Sequence, residues 1–95
     1  MVIMVSGVNL LYRVKIVVRP REGVSDPEGE TLSLRLKRKG IQGLSRIRSG
    51  KYWEVYLESS SREEAEEKAR QIYGGPPTMN PVKDDAQVIA IEEVG

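Results

Sequence analysis

The strictest pattern in this sequence is an alternation of apolar and mostly charged residues from Tyr12 to Arg19. One set of alternating side chains is Tyr12, Val14, Ile16 and Val18, and the other set is Arg13, Lys15, Val17 and Arg19. A period of two is typical of a strand with one buried and one exposed face. Pro20 ends the strand because proline cannot donate a hydrogen bond to the ladder. The chain must therefore fold around a sheet with at least one covered face.

A helix is expected after the loop that follows this strand. Asp26 is a favourable N-cap, and Pro27 suits the first helical position, where its missing N–H costs nothing. Leu32 and Leu36 lie four positions apart and, with the neighbouring Leu34, give the helix an apolar stripe. Gly40 supplies the left-handed residue that ends it.

The next segment predicts a hairpin of two strands, residues 44–48 and 51–58. Ser49-Gly50 lies between them, and glycine would provide the positive φ that a tight two-residue turn requires. Three apolar residues of the second strand share one face and are assigned to the core, namely Trp53, Val55 and Leu57.

A second helix and a last strand complete the predicted order. Ser61 and Glu64 form a capping box, Gly74-Gly75 ends the helix, and residues 86–92 form the strand. The order β-α-β-β-α-β predicts an α+β fold of the ferredoxin-like type. We expect a two-layer sandwich, with a four-stranded antiparallel sheet and two helices on one face. All 95 residues form one domain, in which residues 1–11 extend the first strand.

The uncovered sheet face is predicted to mix charges with tyrosines. In the ferredoxin-like strand order the first and third strands are neighbours. The expected residues of this face are Arg13, Lys15, Val17, Arg19, Tyr52, Glu54, Tyr56 and Glu58. Opposite charges on adjacent strands stabilise such a face, and its composition indicates a subunit interface.

Composition excludes several kinds of chemistry. The chain has no Cys and no His, which excludes cysteine nucleophiles, histidine bases and Cys/His metal sites. The acidic run Glu63, Glu64, Glu66 and Glu67 fits a solvated helix face, and no phosphate-binding glycine motif occurs. We therefore expect no catalytic residue, cofactor or metal ligand in this chain. A net charge of +1 argues against nucleic-acid and membrane partners, and the composition fits a cytoplasmic protein.

Two other functions remain open at this point. Exposed tyrosines on a four-stranded sheet are also found in the RNA-recognition fold, where they stack bases. Glu54 and Glu58 on the same face would repel phosphate, and the aromatic octapeptide of that fold is absent. A regulatory domain that binds a small ligand is the second alternative, although no residue specifies the ligand.

Six short stretches in order resemble the PurS family over about residues 12–93. They are Tyr12-Arg13-Val14-Lys15-Ile16, Asp26-Pro27-Glu28-Gly29, Leu36 with Gly40, Ile47-Arg48-Ser49-Gly50-Lys51, Ala65-Glu66 and Asn80-Pro81-Val82. The sequence departs from the family pattern in the last strand, at Ala86 and Ile89.

The resemblance implies a small, non-catalytic subunit of phosphoribosylformylglycinamidine (FGAM) synthase, a ligase of purine biosynthesis. It implies a synthetase subunit (PurL) that uses ATP and magnesium, a glutaminase subunit (PurQ) that releases ammonia, and self-association as a dimer or tetramer. This chain would hold the two larger subunits together so that ammonia passes between them. The expected interface residues are Asp26, Gly29, Arg48, Gly50, Lys51, Tyr52, Tyr56, Asn80 and Pro81.

Overall fold

The computed structural model describes residues 9–94, which form five elements in the order β-α-β-α-β. They are β1 (Leu10–Pro20), α1 (Pro27–Arg38), β2 (Lys51–Ser59), α2 (Arg62–Tyr73) and β3 (Asp84–Val94). The predicted α+β class is confirmed. Leu10 and Leu11 belong to β1, and the rest of the predicted N-terminal extension, residues 1–8, lies outside the described residues.

The sheet has three antiparallel strands in the order β2-β1-β3. Val14 of the central strand lies opposite Val55 of β2 and Ile91 of β3. A β-bulge between Lys15 and Ile16 shifts the register of β1 against β3. The ferredoxin-like order predicts that the first strand lies beside the strand Lys51–Ser59, and this prediction is confirmed.

The core lies on one face of the sheet, under α2. The predicted inward residues of β1 are all buried there, together with two alanines of α2 and one residue of β3: Tyr12, Val14, Ile16, Val18, Ala65, Ala69 and Ile91. Each buried valine or isoleucine contributes about 1.5 to 3 kcal/mol relative to an exposed one. Trp53 points to the same face but is 39% exposed, so its assignment to the core is wrong.

The predicted fourth strand and hairpin are wrong. Residues 44–50 have no regular secondary structure, and the positive-φ glycines are Gly23, Gly40 and Gly43 rather than Gly50. The Ser49 N–H donates to the carboxylate of Asp26, so it is not available to a hairpin partner. In the described part of the chain, β2 therefore has one edge without a neighbouring strand.

The prediction of two helices on one sheet face is also wrong, because only α2 covers the sheet. Among the described residues, no Cα of α1 lies within 8 Å of a Cα of any strand or of α2. The molecule measures 63 × 28 × 16 Å and has a radius of gyration of 18.3 Å, whereas a compact chain of this length has about 12 Å. Residues 21–50, which comprise α1 and the segments on both sides of it, project from the sheet, and we call them the arm.

None of the helices among residues 9–94 has the length and apolar character needed to cross a membrane. The predicted N-caps and helix ends are confirmed, but in the capping box the Glu64 carboxylate accepts the N–H of Ser60 and not that of Ser61. Asp26 and Ser61 are the N-caps, and Gly40 has the left-handed φ of 89° just beyond α1.

Candidate functional site

Asp26 organises the junction between the arm and the sheet. Its carboxylate accepts the Gly29 N–H at 3.1 Å and so caps α1. The same carboxylate accepts the Ser49 hydroxyl at 2.5 Å and the Ser49 N–H at 2.7 Å. These bonds favour the charged form, and they lower the pKa of Asp26, with the Ser49 hydroxyl as the largest cause. Only 6% of Asp26 is exposed, and its carboxylate holds the arm to the segment that returns to the sheet.

Residues 44–50 lead from the rest of the arm back to β2, and we call them the returning segment. Arg48 fastens this segment to the end of β1. Its guanidinium donates to the carbonyl oxygen of Pro20, to that of Arg21 at 3.5 Å and to a Glu22 carboxylate oxygen at 2.8 Å. Its Nε lies 3.7 Å from the Asp26 carboxylate. A planar group with several fixed donors is suited to such a set of acceptors. Arg48 therefore fixes the direction in which the arm leaves the sheet.

A second arginine shares the Glu22 carboxylate. Arg46 donates to it at 3.0 Å, and the pKa of Glu22 is lowered by Arg46 first and by Arg48 second. This cluster is exposed on the side of Glu22 and Arg46.

Two predicted interface glycines are required by close packing. A Cβ on Gly29 would collide with the Ile47 carbonyl oxygen, and a Cβ on Gly50 would lie 2.5 Å from the Val18 carbonyl oxygen. Both contacts are tighter than any side chain permits. Gly29 thus lets the returning segment lie against α1, and Gly50 lets it pass the end of β1.

The turn at Asn80-Pro81 lies beside this junction. The Asn80 side chain accepts the Val82 N–H at 2.9 Å, which is the local bond expected of an Asx turn. Arg21 ties the turn to the arm, because its side chain donates to the Pro81 carbonyl at 2.8 Å and its N–H donates to Lys83 at 2.8 Å.

The structure therefore brings most of the predicted interface residues to one end of the sheet. Those at or beside the junction are Asp26, Gly29, Arg48, Gly50, Lys51, Asn80 and Pro81. Lys51 is exposed and borders hollows shared with Gly50 and with Asn80. Several of these residues hold the junction together, and their contact with another protein stays a prediction.

Tyr52 and Tyr56 lie away from the junction, on the uncovered face of the sheet. Both hydroxyls donate to Glu54, which lies between them, at 2.8 and 3.1 Å. These two bonds are the main causes of the lowered pKa of Glu54, with Tyr52 first. The tyrosines are 51% and 52% exposed. Their rings are therefore held in place while remaining accessible.

The basic residues of this face form ion pairs with a carboxylate of β3. Arg13 contacts Glu92 at 2.8 Å, and Lys15 lies 3.4 Å from the same carboxylate. The hydrogen bond from Arg13 is the largest cause of the lowered pKa of Glu92. Lys15 also lies directly opposite Glu54 in the register of β1 and β2, as the predicted strand order requires, but its ion pair is with Glu92. We call Arg13, Lys15, Tyr52, Glu54, Tyr56 and Glu92 the outer face.

Sequence reasoning missed three residues of these surfaces. Glu92 lies opposite Arg13 on the outer side of the sheet, but the register shift between Val88 and Ala90 breaks the simple alternation, so the pattern alone does not predict its face. Ser49 and Glu22 make their bonds across 23 and 26 positions of the sequence, and no local signal indicates such contacts.

The arrangement has the chemistry of protein contacts rather than of catalysis. The described residues 9–94 include no group of three or more Asp or Glu side chains placed to hold a metal ion. The outer face instead offers aromatic rings, cations and carboxylates that already satisfy one another. Aromatic and arginine side chains are enriched at protein interfaces.

Known proteins are similar to this chain over nearly all of its described length. The family model PurS, described as phosphoribosylformylglycinamidine (FGAM) synthase, matches residues 13–92. The phosphoribosylformylglycinamidine synthase subunit PurS of Archaeoglobus fulgidus is 32% identical over 57 residues, which are 60% of this chain and 71% of that relative.

Solved structures have the same fold. PurS of Thermus thermophilus superposes with a TM-score of 0.78 at 28% identity and covers 90% of this chain and 99% of its own. A chain in the structure of PurLQS from Thermotoga maritima gives a TM-score of 0.75 at 26% identity, covering 88% and 98%.

Proposed function

Because this chain belongs to the PurS family of FGAM synthase subunits, we propose that it bridges the synthetase and glutaminase subunits of that ligase. The chain serves purine biosynthesis as part of the assembly, and no catalytic role is indicated for it. The observation that carries the bridging proposal is its similarity to a chain of the solved PurLQS assembly over 88% of its length.

The partners in this proposal are a synthetase subunit of the PurL type and a glutaminase subunit of the PurQ type. The synthetase would bind formylglycinamide ribonucleotide, ATP and magnesium, and the glutaminase would release ammonia from glutamine. The bridging chain would contribute proximity and exclusion of water. Its location would be the cytoplasm.

We place the docking surface for the synthetase on the outer face. Binding costs less entropy when the contacting side chains are already ordered, and Glu54 holds both tyrosine hydroxyls. Exposed tyrosines with fixed rings are typical anchors of protein interfaces. Glu92 forms ion pairs with Arg13 and Lys15, and the Glu54 carboxylate accepts the two tyrosine hydroxyls. Each of these charged groups therefore keeps a polar partner when another protein covers the face.

The experiment is binding to an immobilised synthetase subunit. The double variant Y52A/Y56A is expected to bind at least about tenfold more weakly, because two anchors are lost. The matched variant Y52F/Y56F keeps the rings and loses only the bonds to Glu54, so a smaller loss is expected. Equal binding by Y52A/Y56A and the unchanged protein would remove the outer face from the proposal.

RNA binding is the less favoured alternative for the outer face. Glu54 accepts hydrogen bonds from both tyrosines and keeps its charge, since its pKa is lowered. A carboxylate between the two rings would repel the phosphates beside any stacked base.

For the second alternative, a regulatory domain that binds a small ligand, the place to consider is a cavity in the arm. A cavity of about 640 Å³ lies between α1 and the returning segment. The Glu22 carboxylate at the border of this cavity is already paired with Arg46 and Arg48. These charged groups therefore do not indicate which kind of ligand the cavity would bind.

Self-association as a dimer or tetramer is part of the proposal. A chain of 95 residues can bury only a modest core, and apolar side chains of the arm and of β2 remain exposed. Association would cover them.

A further inference from the structure

The loop between α2 and β3 ends in a tip that the chain holds firmly in place. The Asn80 side chain accepts the Val82 N–H at 2.9 Å, and the Asn80 carbonyl accepts the Asp84 N–H at 2.8 Å. The Asp84 carboxylate in turn accepts the Asn80 N–H at 3.1 Å. The Arg21 side chain donates to the Pro81 carbonyl from the other side, at 2.8 Å. These bonds give the backbone of the tip one defined shape.

The apolar side chains of this loop face solvent. Val82 is 80% exposed, more than any other large hydrophobic side chain of the described residues, and three prolines of the loop are exposed as well, namely Pro76, Pro77 and Pro81. A single exposed valine is ordinary, but here several apolar side chains lie on an ordered backbone. Proline loses no rotamer freedom on burial, and a segment that is already ordered loses little entropy on binding. The loop is therefore suited to docking against another protein.

A hollow of about 520 Å³ opens beside the tip. Its apolar lining is formed by Pro76, Pro77 and Met79, and Lys51 and Lys83 lie at its border. Met79 packs against the core, and a thioether side chain adapts its shape to the group that it meets. The hollow can therefore receive a side chain from another protein while Val82 contacts the surface around that side chain.

The charged groups of the hollow determine which side chain fits it. Lys51 and Lys83 are exposed, and within residues 9–94 no carboxylate lies within 4 Å of either ammonium group. The Asp84 carboxylate, which also borders the hollow, is already bonded to the Asn80 N–H. The complementary surface is therefore a carboxylate next to an apolar side chain.

The hollow and the outer face lie on opposite sides of the sheet. Lys51 lies opposite Val18 in the register of β1 and β2, and Val18 belongs to the core under α2. Its neighbour Tyr52 belongs to the outer face, because successive side chains of a strand point to opposite faces. A protein bound to the outer face therefore leaves the hollow open. One chain can hold two different proteins at the same time, which is what a bridging subunit requires.

We propose that the hollow, together with Val82, is the docking site of the glutaminase subunit, which fills it with a carboxylate beside an apolar side chain. The proposal rests on the bridging function, in which the outer face binds the synthetase and a second surface must bind the glutaminase. Lys51 contacts the partner directly in this arrangement. Asn80 acts by holding the tip that presents Val82.

Photo-cross-linking tests the location of the site. The sequence contains no Cys, so V82C carries a single thiol, to which a benzophenone maleimide is attached before the chain is assembled with both larger subunits. Irradiation is expected to link V82C to the glutaminase. The control is E63C, because Glu63 is exposed in the first turn of α2, at the other end of that helix from the loop; it should give little of this product. Cross-linking of V82C to the synthetase alone, or to neither subunit, would overturn the proposal.

Glutamine-dependent formation of FGAM measures how much the site contributes. The rate of the two larger subunits is recorded against the concentration of this chain. V82D is expected to raise the half-saturating concentration at least about tenfold, because it places a charge on an apolar anchor. K51E/K83E should act in the same direction, because like charges would then face each other. The matched controls V82I and K51R/K83R keep the apolar surface and the charge, and they should behave like the unchanged protein.

The outcomes separate this docking site from the bridging function. Half-saturation by V82D and K51E/K83E at the concentration found for the unchanged chain would overturn the docking site and leave the bridging function intact. Binding of V82D to the immobilised synthetase should equal that of the unchanged protein, and a loss there would overturn the assignment to the glutaminase. If the glutamine-dependent rate did not depend on the unchanged chain at all, the bridging function would fail, and the docking site with it.

Discussion

Asp26 and Ser49 lie 23 positions apart, yet the carboxylate of Asp26 accepts both hydrogen bonds that Ser49 can donate, at 2.7 and 2.5 Å. The same carboxylate caps α1 through the Gly29 N–H. One buried side chain therefore both starts the helix and determines that the returning segment joins the arm instead of the sheet.

Replacing Asp26 by Asn is expected to loosen the arm. Asparagine can still cap a helix, but it has one acceptor oxygen where Ser49 and Gly29 use two. We expect faster amide hydrogen exchange in residues 27–38 and a melting temperature lower by roughly 4 to 8 °C, the usual effect of losing one such interaction in a domain of this size. The control is D85N, because Asp85 is exposed and its carboxylate forms a surface ion pair with Arg21. Unchanged exchange in D26N would contradict this role.

The difference in melting temperature between the unchanged protein and D26N should depend on pH. Folding lowers the pKa of Asp26 below its ordinary value of 3.8. Its contribution to stability is therefore fully present above about pH 4 and is lost as the pH falls through the folded-state pKa. Thermal unfolding is measured at pH 7 and at pH 3 or below. The melting temperatures of unchanged protein and D26N should differ less at the lower pH. A gap that stays constant would show that the charge of Asp26 has no part in the effect.

Alanine at Gly29 or Gly50 is expected to destabilise the protein, although alanine is usually favoured over glycine inside a helix. In each case the new Cβ would meet a backbone carbonyl, of Ile47 or of Val18, which cannot move as a flexible side chain can. Overpacking of this kind costs about 1 to 3 kcal/mol. Chemical unfolding measures it, with G75A as control because nothing lies within 4 Å of its added Cβ. Stability equal to that of G75A would show that the close approaches do not matter.

Lysine at position 48 is expected to weaken the junction even though the charge is kept. A single ammonium group cannot reach the carbonyls of Pro20 and Arg21 and the Glu22 carboxylate together. Hydrogen exchange in residues 44–50 should rise several-fold in R48K. R46K is the matched control, since Arg46 makes one exposed bond to Glu22. Equal exchange in both variants would contradict the role given to Arg48.

The sequence predicts the local elements well because their signals are local. The alternation in β1 identifies Tyr12, Val14 and Ile16 as core residues, and all three are buried. Asp26 and Ser61 are caps as predicted. The family resemblance over residues 12–93 is confirmed by the match over 13–92.

The course of residues 44–50 could not be predicted in the same way. A Ser-Gly pair between two apolar stretches is typical of a hairpin, and the sequence does not show that glycine is needed for contact with Val18 instead of for a positive φ. The competing bond from Ser49 to Asp26 depends on the three-dimensional path of the chain. For the candidate site, residue types on β2 located Tyr52 and Tyr56 on the outer face, whereas the preference of Arg13 for Glu92 depends on the position of β3.

In the proposed function this chain catalyses no reaction itself and acts by joining the larger subunits. The direct measurement is FGAM formation by the synthetase and glutaminase subunits, with and without this chain, driven either by glutamine or by added ammonium salt. We expect the glutamine-dependent rate to require the chain, whereas the ammonium-dependent rate of the synthetase does not. Equal glutamine-dependent rates with and without the chain would overturn the bridging function.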